Sequence, residues 1–248
     1  MSRPFLLFVF TLLAGWAAAQ QDSGMIVKKN RNFTLDVLTG YSLPFGNYAR
    51  VDTNNKLSGY ANGGFFVQVT GSFIGKGNLG IAFSYCFQYN ALDKSAQNVT
   101  PDGHQYQLGS TAWNNHYLLA GPVYQNTFGK FFLAVRLQGG VVVSRSSNFY
   151  ITMPPPDTVS PPYLSQGVGA GVAVQGMIVA GYSISHKVTL TAHINYTGAN
   201  PSRKKDYYWA HFYVDEHGDP HYVFEGGEFQ MKKKISTFNI GLGISFRL

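Results

Sequence analysis

LGIAFSYCFQYN, residues 79–90, alternates without a break. Leu79, Ile81, Phe83, Tyr85, Phe87 and Tyr89 are large and apolar or aromatic, whereas Gly80, Ala82, Ser84, Cys86, Gln88 and Asn90 are small or polar. Successive side chains of a β-strand point to opposite faces, so the stretch reads as one strand with two unlike surfaces. Which surface meets water, protein or lipid decides the fold.

The pattern recurs along the chain. Phe33, Leu35, Val37, Tyr41, Leu43 and Phe45 oppose Thr34, Asp36, Leu38, Gly40 and Ser42. Phe65, Val67, Val69 and Phe73 oppose Phe66, Gln68, Thr70 and Ser72. Phe131, Leu133, Val135, Leu137, Val141 and Val143 oppose Phe132, Ala134, Arg136, Gln138, Gly140 and Ser144. Similar segments follow in QGVGAGVAVQGMIVAGY, VTLTAHINYT and STFNIGLGISFRL. NNHYLLAGPVYQ is a weaker strand whose facing the pattern leaves open; its Pro122 must fall where the ladder is broken or needs no bond. The sum is eight strands. Their connections alternate: long (46–62), short (75–78), long (91–112), short (126–130), long (145–165), short (183–187) and longest (199–234). In an up-and-down meander this puts every short turn at one end and every long loop at the other.

Composition settles the facing. Charged residues make up 12% of the chain, against about 25% in soluble domains. The non-apolar faces of the strands carry only Asp36, Arg136 and Arg247, a poor surface to turn toward water. A soluble lipocalin-like ligand carrier is therefore the lesser alternative. The expected fold class is all-β: an eight-stranded antiparallel transmembrane barrel, apolar face outward to lipid. An eight-stranded bore is just wide enough to be filled by side chains, and the small and polar faces suit it. Its three charges need partners there. Asp36 and Arg247 lie at the short-turn ends of the first and last strands, so closure predicts that they approach inside the lower barrel, with Arg136 a further member.

Residues 1–19, with Arg3, an apolar run from Phe5 to Leu13 and Ala17-Ala18-Ala19, read as a secretory signal peptide that is removed. Residues 20–31 form an N-terminal periplasmic segment and 32–248 the barrel. The net charge of +7 falls to +6 without Arg3. Basic residues lie in turns and loops and form no nucleic-acid stripe; a basic rim facing lipid head-group phosphates is the expectation. The lone cysteine, Cys86, reads as a space-saving interior residue.

With these features the chain resembles the small eight-stranded outer-membrane barrels of Gram-negative bacteria, the OmpA/OmpX type. Its last strand, FNIGLGISFRL, is similar to the alternating terminal strand that the resemblance implies is read by the barrel-assembly machinery. Here Leu248 stands at the final position and Phe246 carries the aromatic. The resemblance implies an outer-membrane location after signal-peptide export and contact with outer-membrane lipid and lipopolysaccharide. It implies no single activity, since this fold hosts adhesins, structural proteins, pores and lipid-modifying enzymes.

No nucleophile elbow, phosphate loop or paired catalytic carboxylates are present, and GVGAGVAVQG lacks the helix that a nucleotide motif requires. His193 falls on an inward face with no Ser or acid beside it, and reads as an internal hydrogen-bonded histidine. His211, His217 and His221 stand near Asp215, Glu216 and Asp219 without a zinc or calcium spacing. No cofactor or metal is expected. The last connection holds half of the twelve acidic residues and a run of aromatics. YYWAHFYV and PHYVFEGG predict a hairpin turning near His217. Tyr207, Tyr208, Trp209, Phe212, Tyr213, Tyr222 and Phe224 form the candidate interaction site for an extracellular partner. The expected role is structural or adhesive and non-enzymatic; a narrow pore and a lipid A-modifying enzyme are the alternatives.

Overall fold

Alternating apolar and small residues form strands because each residue type then meets one environment only. In a computed structural model, the described residues are 32–50, 59–75, 77–93, 105–107, 112–145, 149–152, 163–164, 168–214, 217, 220–232 and 234–248. For 32, 105–107, 149–152, 163–164, 203–214 and 220–232 the backbone alone is described. The signal peptide and periplasmic segment expected over 1–31 lie outside the described residues.

The strands are β1 (Asn32–Pro44), β2 (Ala61–Ile74), β3 (Leu79–Leu92), β4 (Gln105–Gln107), β5 (Ala112–Phe128), β6 (Phe131–Arg145), β7 (Phe149–Thr152), β8 (Tyr163–Leu164), β9 (Val168–Ser183), β10 (Val188–Val214), β11 (Pro220–Lys232) and β12 (Ile235–Arg247). Eight of them, in the order β12-β1-β2-β3-β5-β6-β9-β10, pair antiparallel with their neighbours, and β10 pairs with β12 to close the barrel. A row of partners started at Asp36 runs through Thr70, Ser84, Leu119, Gly140, Ala173 and Ala199 to Ile235. The β1–β12 register then returns it opposite position 46, a stagger of ten residues from Asp36 to 46. Such a stagger over eight strands corresponds to a tilt of about 40°.

The short turns have local reasons. Gly129-Lys130 joins Phe128 to Phe131, and only Gly129 has a positive φ (62°), the signature of a two-residue type II′ hairpin. At the 183–188 turn, Ser185 Oγ accepts from the backbone N–H of Val188 at 3.1 Å. Pro122 faces outward, and the β5–β6 ladder skips from Ala120↔Gly139 to Val123↔Arg136 around it. This fixes the facing that the pattern left open: Asn115, Tyr117, Leu119 and Val123 point inward, His116, Leu118, Pro122 and Tyr124 outward.

The longest connection is not a loop but a continuation of strands. β10 runs 27 residues and pairs with β11 from Ser202↔Lys232 to Val214↔Pro220. Along the same stretch it pairs with β8, which pairs with β7, which pairs with β4. The sheet thus continues past the long-loop end of the barrel as β11-β10-β8-β7-β4.

The seam between β1 and β12 brings Gly40 opposite Gly241. A Cβ on Gly40 would strike the Ile240 carbonyl, and one on Gly241 the Thr39 carbonyl. At outward-facing Gly139, by contrast, the nearest atom to an added Cβ is Ala173 O at 4.0 Å. We expect Gly241→Val to lower stability by about 1–3 kcal/mol, the usual cost of overpacking, and Gly139→Val to leave it unchanged. The measurement is the urea midpoint at which the unboiled, fast-migrating form of the barrel disappears on a gel.

Candidate functional site: the filled bore, the lipid face and the ledge

Inside the barrel, polar side chains from opposite walls meet. β1 and β6 stand four strands apart on the ring, directly across the bore, and Arg136 Nη2 donates to Asp36 Oδ2 there. Both are about 99% buried, and Arg136 Nη1 also reaches Met177 Sδ at 3.9 Å. β2 and β9 are likewise opposite. Gln68 Nε2 donates to Gln175 Oε1 at 3.1 Å, and Gln175 Nε2 returns a bond to Gln68 Oε1 at 3.3 Å. Around this pair, Gln175 also donates to Thr197, Thr70 lies 2.8 Å from Ser84, and Ser84 donates to Gln138. Each bond satisfies a group that would otherwise be buried at a cost of about 1–3 kcal/mol.

Apolar layers lie on both sides of this belt. Leu38, Ile74, Ala82, Val123, Phe132, Ala134, Met177 and Val179 pack together around the ion pair toward the short-turn end. Toward the other end, Phe66, Tyr117, Trp113 and Tyr48 belong to a second layer. Tyr48 enters it from the 3-10 turn Gly46–Tyr48, its ring 5.6 Å from that of Trp113, whose Nε1 donates to the Gly59 carbonyl at 2.9 Å. Cys86 is interior and buried.

Two expectations are corrected. Asp36 does not meet Arg247. The register sets Ser245 opposite Asp36 and Arg247 opposite Thr34, two residues lower, where its side chain is exposed at the mouth of the bore. Water reaches it there, so it needs no buried partner; Arg136 sits inside and does. His193 is inward, as its parity requires, but neither ring nitrogen has a hydrogen-bond partner among the described residues. Its ring instead stands edge-on to Phe66, centroids 5.3 Å apart.

The outer wall is the reverse of the bore. Leu137, Val172 and Leu242 are 62%, 71% and 68% exposed, and apolar residues of every barrel strand share that band. Aromatics ring its two ends: Phe33–Phe73 and Phe131–Tyr182 at the short-turn end, Phe45–Phe238, Tyr196–Phe238 and Phe65–Tyr89 at the other. This is a surface built for hydrocarbon with interfacial aromatics at both boundaries. A soluble carrier would turn these residues inward. The chain has the architecture of the small eight-stranded outer-membrane barrels.

No protein-family model matches the chain, and none of the curated proteins does. Among solved structures it is similar to a major outer membrane protein from Thermus thermophilus (13% identity, TM-score 0.49, covering 88% of this chain and 100% of that one). It is also similar to Neisserial surface protein A (9% identity, TM-score 0.45, 87% and 97%) and to Ail, the attachment invasion locus protein of Yersinia pestis (9% identity, TM-score 0.40, 87% and 98%). The architecture itself rests on the closed register and the two surfaces of this barrel.

The candidate interaction residues fall on the hairpin above the barrel: Tyr207, Tyr208, Trp209, Phe212 and Tyr213 on β10, Tyr222 and Phe224 on β11. Their backbones pair, with Tyr207 opposite Gly227 and Phe212 opposite Tyr222; their side chains lie outside what is described. Among the described residues no three His, Cys, Asp or Glu gather as a metal site. The pattern also missed an outward polar pair: Tyr85 Oη and His116 Nδ1 are 2.8 Å apart on the lipid face. Assigning β5 by its neighbour would have found it, since His116 stands opposite Phe87.

The ion pair allows a direct test. Removing one partner strands the other charge in the bore, so Asp36→Asn should destabilise the barrel by about 3–5 kcal/mol. Replacing both, as Asp36→Leu with Arg136→Met, should recover most of that loss. Urea unfolding of refolded barrels in detergent reads the difference; equal destabilisation by the single and double variants would contradict the pairing.

Proposed function

We propose that this chain is an integral outer-membrane protein of a Gram-negative bacterium, exported by the signal peptide over residues 1–19 and inserted by the barrel-assembly machinery. Its barrel serves as a closed anchor. Its role is non-enzymatic interaction at the cell surface, carried by the sheet β11-β10-β8-β7-β4. The observation behind this reading is the length of β10. About 12 residues at 3.3 Å, tilted about 40°, cross a bilayer core, and β10 has 27. The remainder pairs on one side with β11 of its own connection and on the other with β8, which β7 and β4 extend, so several loops become one ledge with a single shape. A ledge of paired strands holds aromatic residues in fixed places more firmly than separate loops would. The bonds between opposite walls of the bore speak against the narrow pore.

The test is to join Arg203 to Met231 through Asn-Gly, a two-residue hairpin turn that removes the hairpin and leaves the barrel strands whole. The shortened chain should keep its heat-modifiable gel migration, while cells expressing it adhere to epithelial monolayers no better than a vector control. Unchanged adherence removes the ledge from the role. In planar bilayers the full chain should show no steady unit conductance; discrete channel openings would overturn the closed anchor.

A further inference from the structure

The outward wall of the barrel is almost free of charged and imidazole side chains, and the exceptions are not scattered. The outward positions run over 33–43 on β1, 63–73 on β2, 79–91 on β3, 114–128 on β5, 131–145 on β6, 168–182 on β9, 188–198 on β10 and 238–246 on β12. Across all of them the only charged side chain is Arg145 and the only imidazole is His116. They are neighbours. Asn114 pairs with Arg145 across β5–β6, and the next outward row below pairs His116 with Val143. A guanidinium and an imidazole side by side thus interrupt an otherwise apolar outer wall.

Below them the wall is shallowly recessed. Ala120 and Gly139 stand opposite each other with almost no side chain between them. A recess of about 450 Å³ opens there, lined by Phe83, Tyr85, Leu118, Ala120, Gly139 and Val141 among others. Tyr85 edges this recess and meets His116 Nδ1 at 2.8 Å, while the Phe87 ring lies 5.1 Å from the imidazole. When Tyr85 donates to Nδ1, the neutral ring carries its proton on Nε2 and offers it to whatever lies alongside the wall.

Heights follow from the residue count. Arg145 is fourteen residues above Phe131 on β6, a rise of roughly 35 Å at 3.3 Å per residue and about 40° tilt, beyond a hydrocarbon core of about 30 Å. His116 is two residues lower along its strand than Asn114, a drop of roughly 5 Å, and the recess begins at Leu118, roughly 5 Å further down. A cation, then a hydrogen-bond donor, then an apolar slot is the vertical order of a phosphate, an acyl ester and its chain.

We propose that this strip of β3, β5 and β6 is a docking site for one phosphorylated, multiply acylated lipid of the outer leaflet. Its phosphate sits on Arg145 and Asn114, an ester carbonyl accepts from His116, and one acyl chain lies in the recess over Ala120 and Gly139. The proposal rests on the outer-membrane reading above and gives it a specific lipid-facing site. Charge complementarity picks the occupant: a lone arginine, without an ion-pair partner among the described residues, stands at the head-group level of the long-loop end and faces the anionic leaflet lipid there.

The experiment uses the full chain, folded in mild detergent micelles and titrated with bisphosphorylated lipid A, with phosphatidylglycerol or with phosphatidylcholine, and native mass spectrometry counts the lipid retained. Wild type should hold one lipid A per barrel in preference to either phospholipid. Arg145→Gln and His116→Leu should each weaken retention about tenfold, the loss of one charge-assisted or interfacial hydrogen bond. Gly139→Leu should do the same by filling the slot, with no polar contact touched and with room for its Cβ. Lys234→Gln, an exposed cation away from the strip, should leave retention unchanged. Retention equal to wild type in all three strip variants overturns the site, and equal retention of phosphatidylglycerol overturns the choice of lipid. Heat-modifiable migration is recorded for every variant. A chain that folds in water without detergent overturns the membrane reading itself, whereas a folded barrel indifferent to the strip variants overturns the docking site alone.

Discussion

Closure of β1 on β12 is the constraint from which the rest follows. In hydrocarbon no backbone N–H or C=O can be left without a partner, so a sheet that crosses a bilayer must have no edge. The seam achieves this by bringing Gly40 and Gly241 face to face, where any side chain would strike the neighbouring carbonyl. Closing eight strands with a stagger of ten residues then sets the bore, and the bore sets what can line it. Arg136, Gln68 and Gln175 reach across it to the far wall, and Phe66, Trp113, Tyr117 and Met177 fill the layers beside them. Elsewhere glycine, alanine, serine and threonine leave them room.

The buried ion pair is better understood as a specifier than as a source of stability. Taking Asp36 and Arg136 out of water offsets much of their attraction, and an apolar pair of the same size would hold the walls together as well. What the charges add is register. A one-residue slip of β1 or β6 would turn one of them outward into lipid, at about 2–4 kcal/mol for arginine near the midplane, while leaving the other unpaired inside. The reciprocal amide pair of Gln68 and Gln175 does the same for β2 and β9, the strands next to the first pair on the ring. Two diametric links of different chemistry leave few ways for eight similar strands to mispair.

Most of this barrel was legible in the alternation, because parity in a strand is a local property and a lipid face tolerates no charge. The strands, their facing in all but one case, and the short-turn and long-loop ends follow from residue type and spacing alone. The cross-bore partners escaped because the partner of a side chain across the bore depends on the stagger, which no single strand displays. Asp36 and Arg247 lie near each other when the chain is drawn flat. The stagger instead drops Arg247 to the mouth and lifts Arg136 to the level of Asp36 on the opposite wall. The facing of β5 was obscured by Asn114, Asn115 and His116 at one end and Pro122 in the middle. The paired ledge over β10 was hidden because its partners, β8, β7 and β4, are two to four residues long and separated in sequence from the strand they extend.

A barrel with a filled bore can act only from its outside. Its requirements are strict there: apolar side chains outward through the core, aromatics at the boundaries, and short connections wherever nothing is gained by length. Positions that break those requirements without helping the barrel to close are therefore where a role is written. Two places qualify. β10 continues well past the bilayer when a turn of two residues would suffice, as Gly129-Lys130 shows at the opposite end. On β5 and β6, the polar strip of Asn114, His116 and Arg145 replaces the aromatics that the same level carries on β1, β2 and β12. In the bore, Asp36 and Arg136, and Gln68 and Gln175, answer each other across a space that side chains fill, and His193 packs its ring against Phe66. Function in this chain is to be sought on the ledge and on the wall.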